Sequence, residues 1–386
     1  MKGIQLPVHP RCTGIFLASF LGLFAHTAAA QTEEFSWFDW KDGQTQDHGV
    51  TFGLYGYWLF QTASETQTGE DEAFGEIYRL PGSWAVFGRD TGHPGRLEWR
   101  VEYRSRIGSY LAPSQLAGAA GFSAMDSGFV YSPEFDLDMS VFNWTQEFND
   151  QRGSLAIGRL AFDVHLDAFP MQTISRGFLN RVFLVNPAMA GTGIGALGAV
   201  GKGFVNDNVW LGAHIYDANA VNGQFDMDTF DQGEWLKAVE IGWTPEYSLR
   251  KTNRIQFTWW EKDAREQAGI PRGQGWTVST GLKRGDWYPF ARFGHSDGGA
   301  GVKARDAASA GFEYASNPRH TWSLGLGWIN PVADHDEDET VVEASYEYQL
   351  WRGFSLLPNV QLLMDPANNS EEDKVWVLGL RGFLKL

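Results

Sequence analysis

Of the 386 residues only one is cysteine, Cys12. It precedes the point at which an export signal would be cut, so the working chain has no disulfide framework, no thiolate metal ligand and no cysteine nucleophile. No lipobox-like run precedes Cys12, which argues against a lipid anchor. Long hydrophobic runs are missing too. Apart from one apolar stretch of about a dozen residues near the start, nothing approaches the ~20 residues that a spanning helix needs, and a helical membrane protein is excluded. Positive charge is scarce, with 31 Lys and Arg against 47 Asp and Glu, a formal net charge of -16. Neutralising nucleic-acid phosphates takes clustered Lys and Arg, so a nucleic-acid partner is excluded. Helix-period amphipathic segments, an H-E-x-x-H pair and a G-x-S-x-G elbow are likewise absent. No metal or cofactor is implied, and the chain reads as a non-enzyme. The residual catalytic reading needs His214 and His295 to meet a serine across the fold.

What is present begins with an export signal. Lys2 and Arg11 precede the apolar residues 14–24, and Ala28-Ala29-Ala30 supplies the small residues of an A-x-A cleavage site. Residues 1–30 are therefore expected to be a secretory signal peptide, and residues 31–386 one domain. The rest is rich in aromatic residues, including 17 Trp, and in glycine, with 45.

Its dominant pattern is alternation with period two. In residues 97–106, Leu97, Trp99, Val101 and Tyr103 share one parity, and Glu98, Arg100, Glu102, Arg104 and Arg106 the other. Facing the arginines to lipid would cost ~2 to 4 kcal/mol for each one near the midplane, on the order of 10 kcal/mol together. Their side is thereby fixed as lumenal. The last twelve residues repeat the scheme: Trp376, Leu378, Leu380, Leu384 and Leu386 lie on an apolar face, and Arg381 and Lys385 on the other. About sixteen such segments, each near the ~9 to 11 residues of a tilted spanning strand, are separated by short turns such as 283–286 and 351–354 and by longer acidic connections at 65–76, 334–340 and 368–373. The expected fold is all-β: a transmembrane antiparallel β-barrel of about 16 strands, an even number closing the ring. Residues 77–87 and 127–135 fit the rhythm least well. Residues 161–195 break it, with Pro170, Pro187, Arg176, Arg181 and a glycine-rich run. A loop of that length is uncommon without a function. The expected one is to fold inward and narrow the lumen, the alternative being a long external loop.

Several stretches resemble a known family. Glu343 to Leu350 reads E-x-x-Y-x-x-x-L, Leu357-Pro358-Asn359-Val360-Gln361 precedes Asp365-Pro366-Ala367-Asn368-Asn369, and Gly379-Leu380-Arg381 closes the chain. This is similar to the carbohydrate-selective porins of OprB type, with Leu357, Asn359 and Ser370 departing from the usual Thr, Asp and Pro. Phe38-Asp39-Trp40-Lys41-Asp42, Ala156-Ile157-Gly158-Arg159-Leu160, residues 239–244 and 263–271, and Pro289-Phe290-Ala291-Arg292-Phe293-Gly294-His295 add to the likeness. The resemblance implies a sixteen-stranded sugar channel with an arginine-lined constriction near aromatic and acidic residues.

A sugar in a narrow pore needs hydrogen-bond donors for its hydroxyls and flat apolar faces for its C–H surfaces. The candidate lining is Arg100, Glu102, Arg104, Arg106, Arg159 and Arg292 on the wall, Arg176 and Arg181 in the inward loop, and Trp210 and Trp260 as stacking platforms, with Tyr216 and Arg381 of the same parity. The same arginines would serve equally to brace and solvate the wall, and most Trp and Tyr suit interfacial girdles. The acidic run 334–339 lacks the spacing of a calcium loop and reads as a solvated loop. The expected function is passive diffusion of mono- or oligosaccharides across a bacterial outer membrane. Its partners would be the carbohydrate substrate, outer-membrane lipid and lipopolysaccharide, and the barrel-assembly machinery during biogenesis. A homo-oligomer stays open. The alternative is a general or ion-selective porin without sugar preference.

Overall fold

The computed structural model describes residues 36–131, 134–171, 173, 175–224, 232–332 and 337–386. The expected signal peptide, residues 1–30, lies outside the described residues. The chain divides into two compact units, residues 1–40 and 41–386, and the second contains the barrel. A helix, Trp37–His48, not foreseen from the periodicity, spans the boundary between them in sequence.

Seventeen strands follow. They are β1 (Val50–Phe52), β2 (Tyr55–Ala63), β3 (Glu72–Phe87), β4 (Gly95–Arg106), β5 (Phe135–Phe148), β6 (Gly153–Leu160), β7 (Ala196–Phe204), β8 (Val209–Asp217) and β9 (Trp235–Trp243). The second half holds β10 (Arg254–Lys262), β11 (Gly273–Gly281), β12 (Trp287–Ser296), β13 (Ala304–Asn317), β14 (His320–Pro331), β15 (Glu339–Trp351), β16 (Phe354–Met364) and β17 (Lys374–Lys385). Each of β2 to β17 pairs antiparallel with its sequence neighbours, and β17 returns to β2, from Val377 opposite Ala63 to Lys385 opposite Tyr55. The result is a closed sixteen-stranded ring with no free edge. The short β1 pairs with β3 beyond the stretch taken by β2.

The alternation read from sequence is the inside–outside alternation of this wall. Trp376, Leu378 and Leu380 of β17 point outward and are exposed, while Val377 between them and Arg381 next to Leu380 are fully buried. On β14, Trp322, Leu324 and Leu326 are exposed and Ser323 is buried. The short connections gather at one end. At the turn between β15 and β16 only Arg352 and Gly353 separate the paired Trp351 and Phe354; Gly353 has φ +91°, a conformation glycine adopts without steric cost. Residues 77–87 belong to β3, whereas the described residues of 127–134 form no strand.

Two connections at the other end turn inward instead of extending away. One, residues 161–195 between β6 and β7, was expected to do so. The other, residues 107–134 between β4 and β5, was not, because its hydrophobic residues have no strand or helix period. The first packs against β2, β3 and β13 to β17, and the second against β7 to β10 and β12. Phe178 stacks on Phe183 with ring centres 4.4 Å apart, and both meet Phe290 of β12. The wall makes room with small residues: a side chain at Gly325 would begin 2.6 Å from the Phe183 ring. Burying each such phenylalanine contributes about 1.5–3 kcal/mol.

Inward carboxylates then fasten the loop backbones. Glu339, expected in a solvated acidic run, starts β15 fully buried and accepts hydrogen bonds from the amides of Ser123, Ala124 and Met125 at 2.5, 3.1 and 2.8 Å. Glu343, four residues on, accepts from the amides of Leu179 and Asn180 at 2.6 and 3.0 Å. Replacing Glu339 with Ala leaves three loop amides without their acceptor, at about 1–3 kcal/mol each where they stay buried. Single-channel conductance of Glu339→Ala is expected to rise and grow noisier, with the heat-modifiable electrophoretic shift of the folded barrel retained; unchanged conductance would show that the first loop is held without this carboxylate.

Candidate functional site

The two loops fill the lumen unevenly. Inward residues of β10 to β16, among them Thr258, Ser279, Ser309, Glu343 and Gln361, are fully or almost fully buried beneath them. Across the ring, inward residues of β3 to β5 stay partly accessible: Arg79, Arg96, Glu98, Arg100 and Thr145 are half-buried. The open passage therefore runs along the β3–β5 wall.

That wall is a charge ladder. Glu102, opposite Arg79 in the register, is fully buried and surrounded by three guanidinium groups, with N–O distances of 2.8 Å to Arg79, 2.7 Å to Arg104 and 3.1 Å to Arg100. Ser140 of β5 donates to Glu102 at 3.1 Å and accepts from the Arg100 Nε at 2.8 Å. One carboxylate among three fixed cations leaves positive charge over, and Arg79 and Arg100 carry it to the accessible surface. Nearer the short-turn end, Glu98 accepts from Asn143 and Thr145 at 2.9 and 2.7 Å, and Arg96 pairs with Glu147 at 2.6 Å. Facing this ladder is the short helix Phe162–His165 of the second loop. Its Val164 is exposed, and its Asp163 lies within electrostatic reach of both Arg79 and Arg100. Burial, helped by the nearby Lys202 ammonium, holds the His165 imidazole down at about 4, so at neutral pH this helix presents one carboxylate and an apolar tip.

The remaining expected residues separate into distinct roles. Arg104 is buried against Glu102 and under the Phe135 ring, 5.3 Å from its centre. Arg106 stands at the exposed end of β4, 3.6 Å from Glu134. Arg159 is bidentate to Asp138, both contacts at 2.9 Å, and also donates to the carbonyl oxygens of Gly195 and Gln224. Arg292 binds Asp167 of the second loop, donates to the Leu184 carbonyl at 3.1 Å and lies over Phe169. These two brace the loop; their burial removes the donor surface that a passing sugar would meet. Trp260 is wholly enclosed with Leu166, Met189 and Ala190. Trp210 is nearly so, with the Lys202 ammonium 5.2 Å above its ring. Both have the expected inward parity, but their burial removes the open platform that stacking requires. Arg181 lies over Phe129 at 4.7 Å and joins the two loops, while Arg176 remains half-exposed near Glu313. His214 is buried inside against Glu240 at 2.9 Å and His295 faces outward beside Asp306 at 2.8 Å, so the two do not share a site.

Arg79, Arg96 and Asp163 were missed. Arg79 follows Ile77 at the right parity, but Pro81 and Gly82 obscured the strand there. Asp163 gave no signal short of knowing where its loop lands.

With this geometry in place, the comparisons with known proteins can be set beside it. Residues 254–385 match the family model described as carbohydrate-selective porin, OprB family. Over these strands the chain is similar to that porin family. Its structure resembles the high-pH structure of Pseudomonas putida OprB at TM-score 0.71 and 13% identity, covering 93% of this chain and 100% of that one. A triple mutant of the Rhodopseudomonas blastica porin aligns at TM-score 0.54 and 14% identity over 87% of this chain and 100% of the other. A loop-deletion mutant of OmpT, an outer membrane protein of Vibrio cholerae, aligns at 0.51 and 14% over 87% and 99%. At these identities the structural likenesses establish the fold. No curated protein matches. Porin family and barrel fold together imply an outer-membrane location.

One titratable group ties loop order to pH. Asp126 accepts from the Gly128 amide at 3.1 Å, and its carbonyl accepts from the Arg181 amide at 3.0 Å, linking the two inward loops of the barrel. Burial pushes its carboxyl up to about 7, against the pull of Arg181. Because that value exceeds the roughly 3.9 of an unfolded aspartate, the stabilising form is the protonated one. Its contribution is fully present below about pH 4 and fades as pH rises through about 7. Protease nicking within 107–134 is expected to be faster at pH 8 than at pH 6, and Asp126→Asn to flatten that difference; an identical pH response in the variant would clear Asp126 of the role.

Proposed function

We propose that the porin carries neutral mono- or oligosaccharides by passive diffusion along the Arg79–Arg100 wall, under the helix Phe162–His165. The observation that supports this most is the half-buried ladder of Arg79, Arg100 and Glu98, opposed across the passage by Asp163 and Val164. Fixed donors and acceptors at this spacing suit a polyol, which needs both, and Val164 offers an apolar contact to a sugar C–H face. Because Glu102 and Ser140 hold the guanidinium groups, binding would cost little side-chain ordering. Affinity should nonetheless be weak, since a channel must release what it binds; a millimolar constant, about -4 kcal/mol, suits that. In this reading residues 1–30 export the chain, the barrel-assembly machinery inserts it, lipopolysaccharide surrounds its outer half, and the protein performs no covalent chemistry.

A general porin with ion preference is the second reading, favoured by the formal charge of -16, which biases a pore toward cations unless the lumenal arginines reverse the local field. Single-channel current in a planar bilayer, titrated with glucose and malto-oligosaccharides, separates the two. Saturable block is expected for the wild type, with the blocking constant of Arg79→Ala and Arg100→Ala weakened by about 5- to 30-fold, the loss of one or two charge-assisted hydrogen bonds. Arg106→Ala, at the rim, should change it little. A wild-type current indifferent to every sugar, with a cation-selective reversal potential, would favour the general porin.

A further inference from the structure

The two ends of the barrel differ in the sign of their exposed charge. At the long-loop end the connections follow the overall formal charge of -16: residues 64–71 and 368–373 hold Glu65, Glu70, Asp71, Glu371, Glu372 and Asp373, and neither stretch contains Lys or Arg. The short turns on one arc of the ring reverse it. From the β9–β10 connection round to the β15–β16 turn, Lys251, Lys283, Arg284, Arg319 and Arg352 are exposed, and the acids of these turns are Glu246 and Asp286. Among the described residues no carboxylate forms an ion pair with Lys251, Lys283, Arg284 or Arg319. The turns are also tied sideways into one rim. The Lys283 amide donates to the Asn253 side chain at 2.9 Å, the Ala315 amide to the Asp286 carbonyl at 2.9 Å, and the Gln349 amide to the Arg319 carbonyl at 3.0 Å.

A belt of aromatic rings fixes the depth of this rim. On the same arc Trp287 lies 4.5 Å from Tyr314 between ring centres, Trp322 lies 4.2 Å from Tyr346, and Trp351 lies 4.5 Å from Phe354; the three tryptophans are exposed on the outer surface. Trp and Tyr gather where apolar lipid tails give way to headgroups. Arg284 and Trp287 exchange backbone hydrogen bonds at 2.8 and 3.1 Å, and Arg352 directly follows Trp351. The cations therefore stand one step beyond the belt, at headgroup depth. Guanidinium and ammonium groups there make charge-assisted hydrogen bonds to phosphate oxygens. A free phosphate ion would gain nothing from the rings, whereas a lipid brings its acyl chains to the belt and its phosphate to the rim together. A zwitterionic headgroup also carries an ammonium that the unpaired cations repel, so a net-anionic headgroup fits better.

We propose that the short turns from β9 to β16 form a binding rim for anionic glycerophospholipid headgroups, in the leaflet on the short-turn side of the membrane. Each Lys or Arg near such a surface strengthens attachment by about fivefold. The acidic connections at the other end repel the same headgroups, so the charge difference holds the barrel at one depth and in one orientation. This role is independent of which solute the lumen admits.

The experiment is native mass spectrometry of the folded full-length barrel in detergent, with dioleoylphosphatidylglycerol and dioleoylphosphatidylethanolamine supplied at equal concentration. Wild type is expected to retain phosphatidylglycerol over phosphatidylethanolamine by at least about fivefold. The double variant Lys283→Gln/Arg284→Gln should lower phosphatidylglycerol retention by at least about tenfold, with phosphatidylethanolamine retention and the heat-modifiable shift unchanged. Arg319→Gln alters a single exposed turn residue and keeps the test usable if the double variant fails to fold; its expected loss is about fivefold. Lys374→Gln, at the long-loop end of β17, should change neither lipid. Equal retention of the two lipids by wild type, or phosphatidylglycerol retention that the rim variants leave unaltered, overturns the proposal. Loss of bound phosphatidylglycerol to millimolar inorganic phosphate also overturns it, and assigns the rim to the free ion instead.

Discussion

The structure depends on inward carboxylates that accept backbone amides of chain segments folded into the lumen. Glu339 and Glu343 on β15, and Glu240 on β9, which accepts from the Asp167 amide at 2.6 Å, place fixed acceptors where loop backbone would otherwise be buried without partners. An unmade hydrogen bond there costs more than a made one contributes, so these contacts select one course for each loop. Every other property of the passage follows from where those loops stop.

Because both loops leave part of the inner face of β3 to β5 uncovered, two parts of the lumen differ in kind. Beneath the loops, arginines act as braces: Arg292 of β12 holds Asp167, and Arg159 of β6 holds Asp138 and the Gly195 carbonyl. On the open side, the same residue type is held by a single carboxylate, Glu102, and left accessible at Arg79 and Arg100. A guanidinium pre-positioned by a buried acid can meet a hydroxyl without being ordered for the purpose, which is how a pore obtains selectivity without tight binding. The chemistry of arginine does not decide between brace and lining; the surrounding packing does.

Much of the fold was legible in the sequence because lipid imposes a strict rule. An arginine on the outer face is too costly, so Arg100, Arg104 and Arg381 fix the parity of their strands, and the strand lengths follow from the thickness to be crossed. The turn at Arg352-Gly353 and the inward break at 161–195 were legible for local reasons, a glycine at a tight reversal and a long aperiodic stretch. The inward course of 107–134 was not, since its apolar residues pack on the wall without any period. Nor was the fate of Trp210 and Trp260: their parity is inward, but whether an inward ring is a platform or filling depends on whether a loop comes to rest on it.

By itself the sequence determined a closed antiparallel barrel, the inward side of the arginines on its clearest strands, and a resemblance to sugar porins, because these follow from period-two patterning against lipid and from short local stretches. Only the tertiary structure decided which inward charges remain accessible. That outcome is set by contacts between segments far apart in the chain, such as Ser123 with Glu339 and Leu179 with Glu343, whose formation depends on the final positions of two loops in a shared lumen and leaves no periodic trace in either segment.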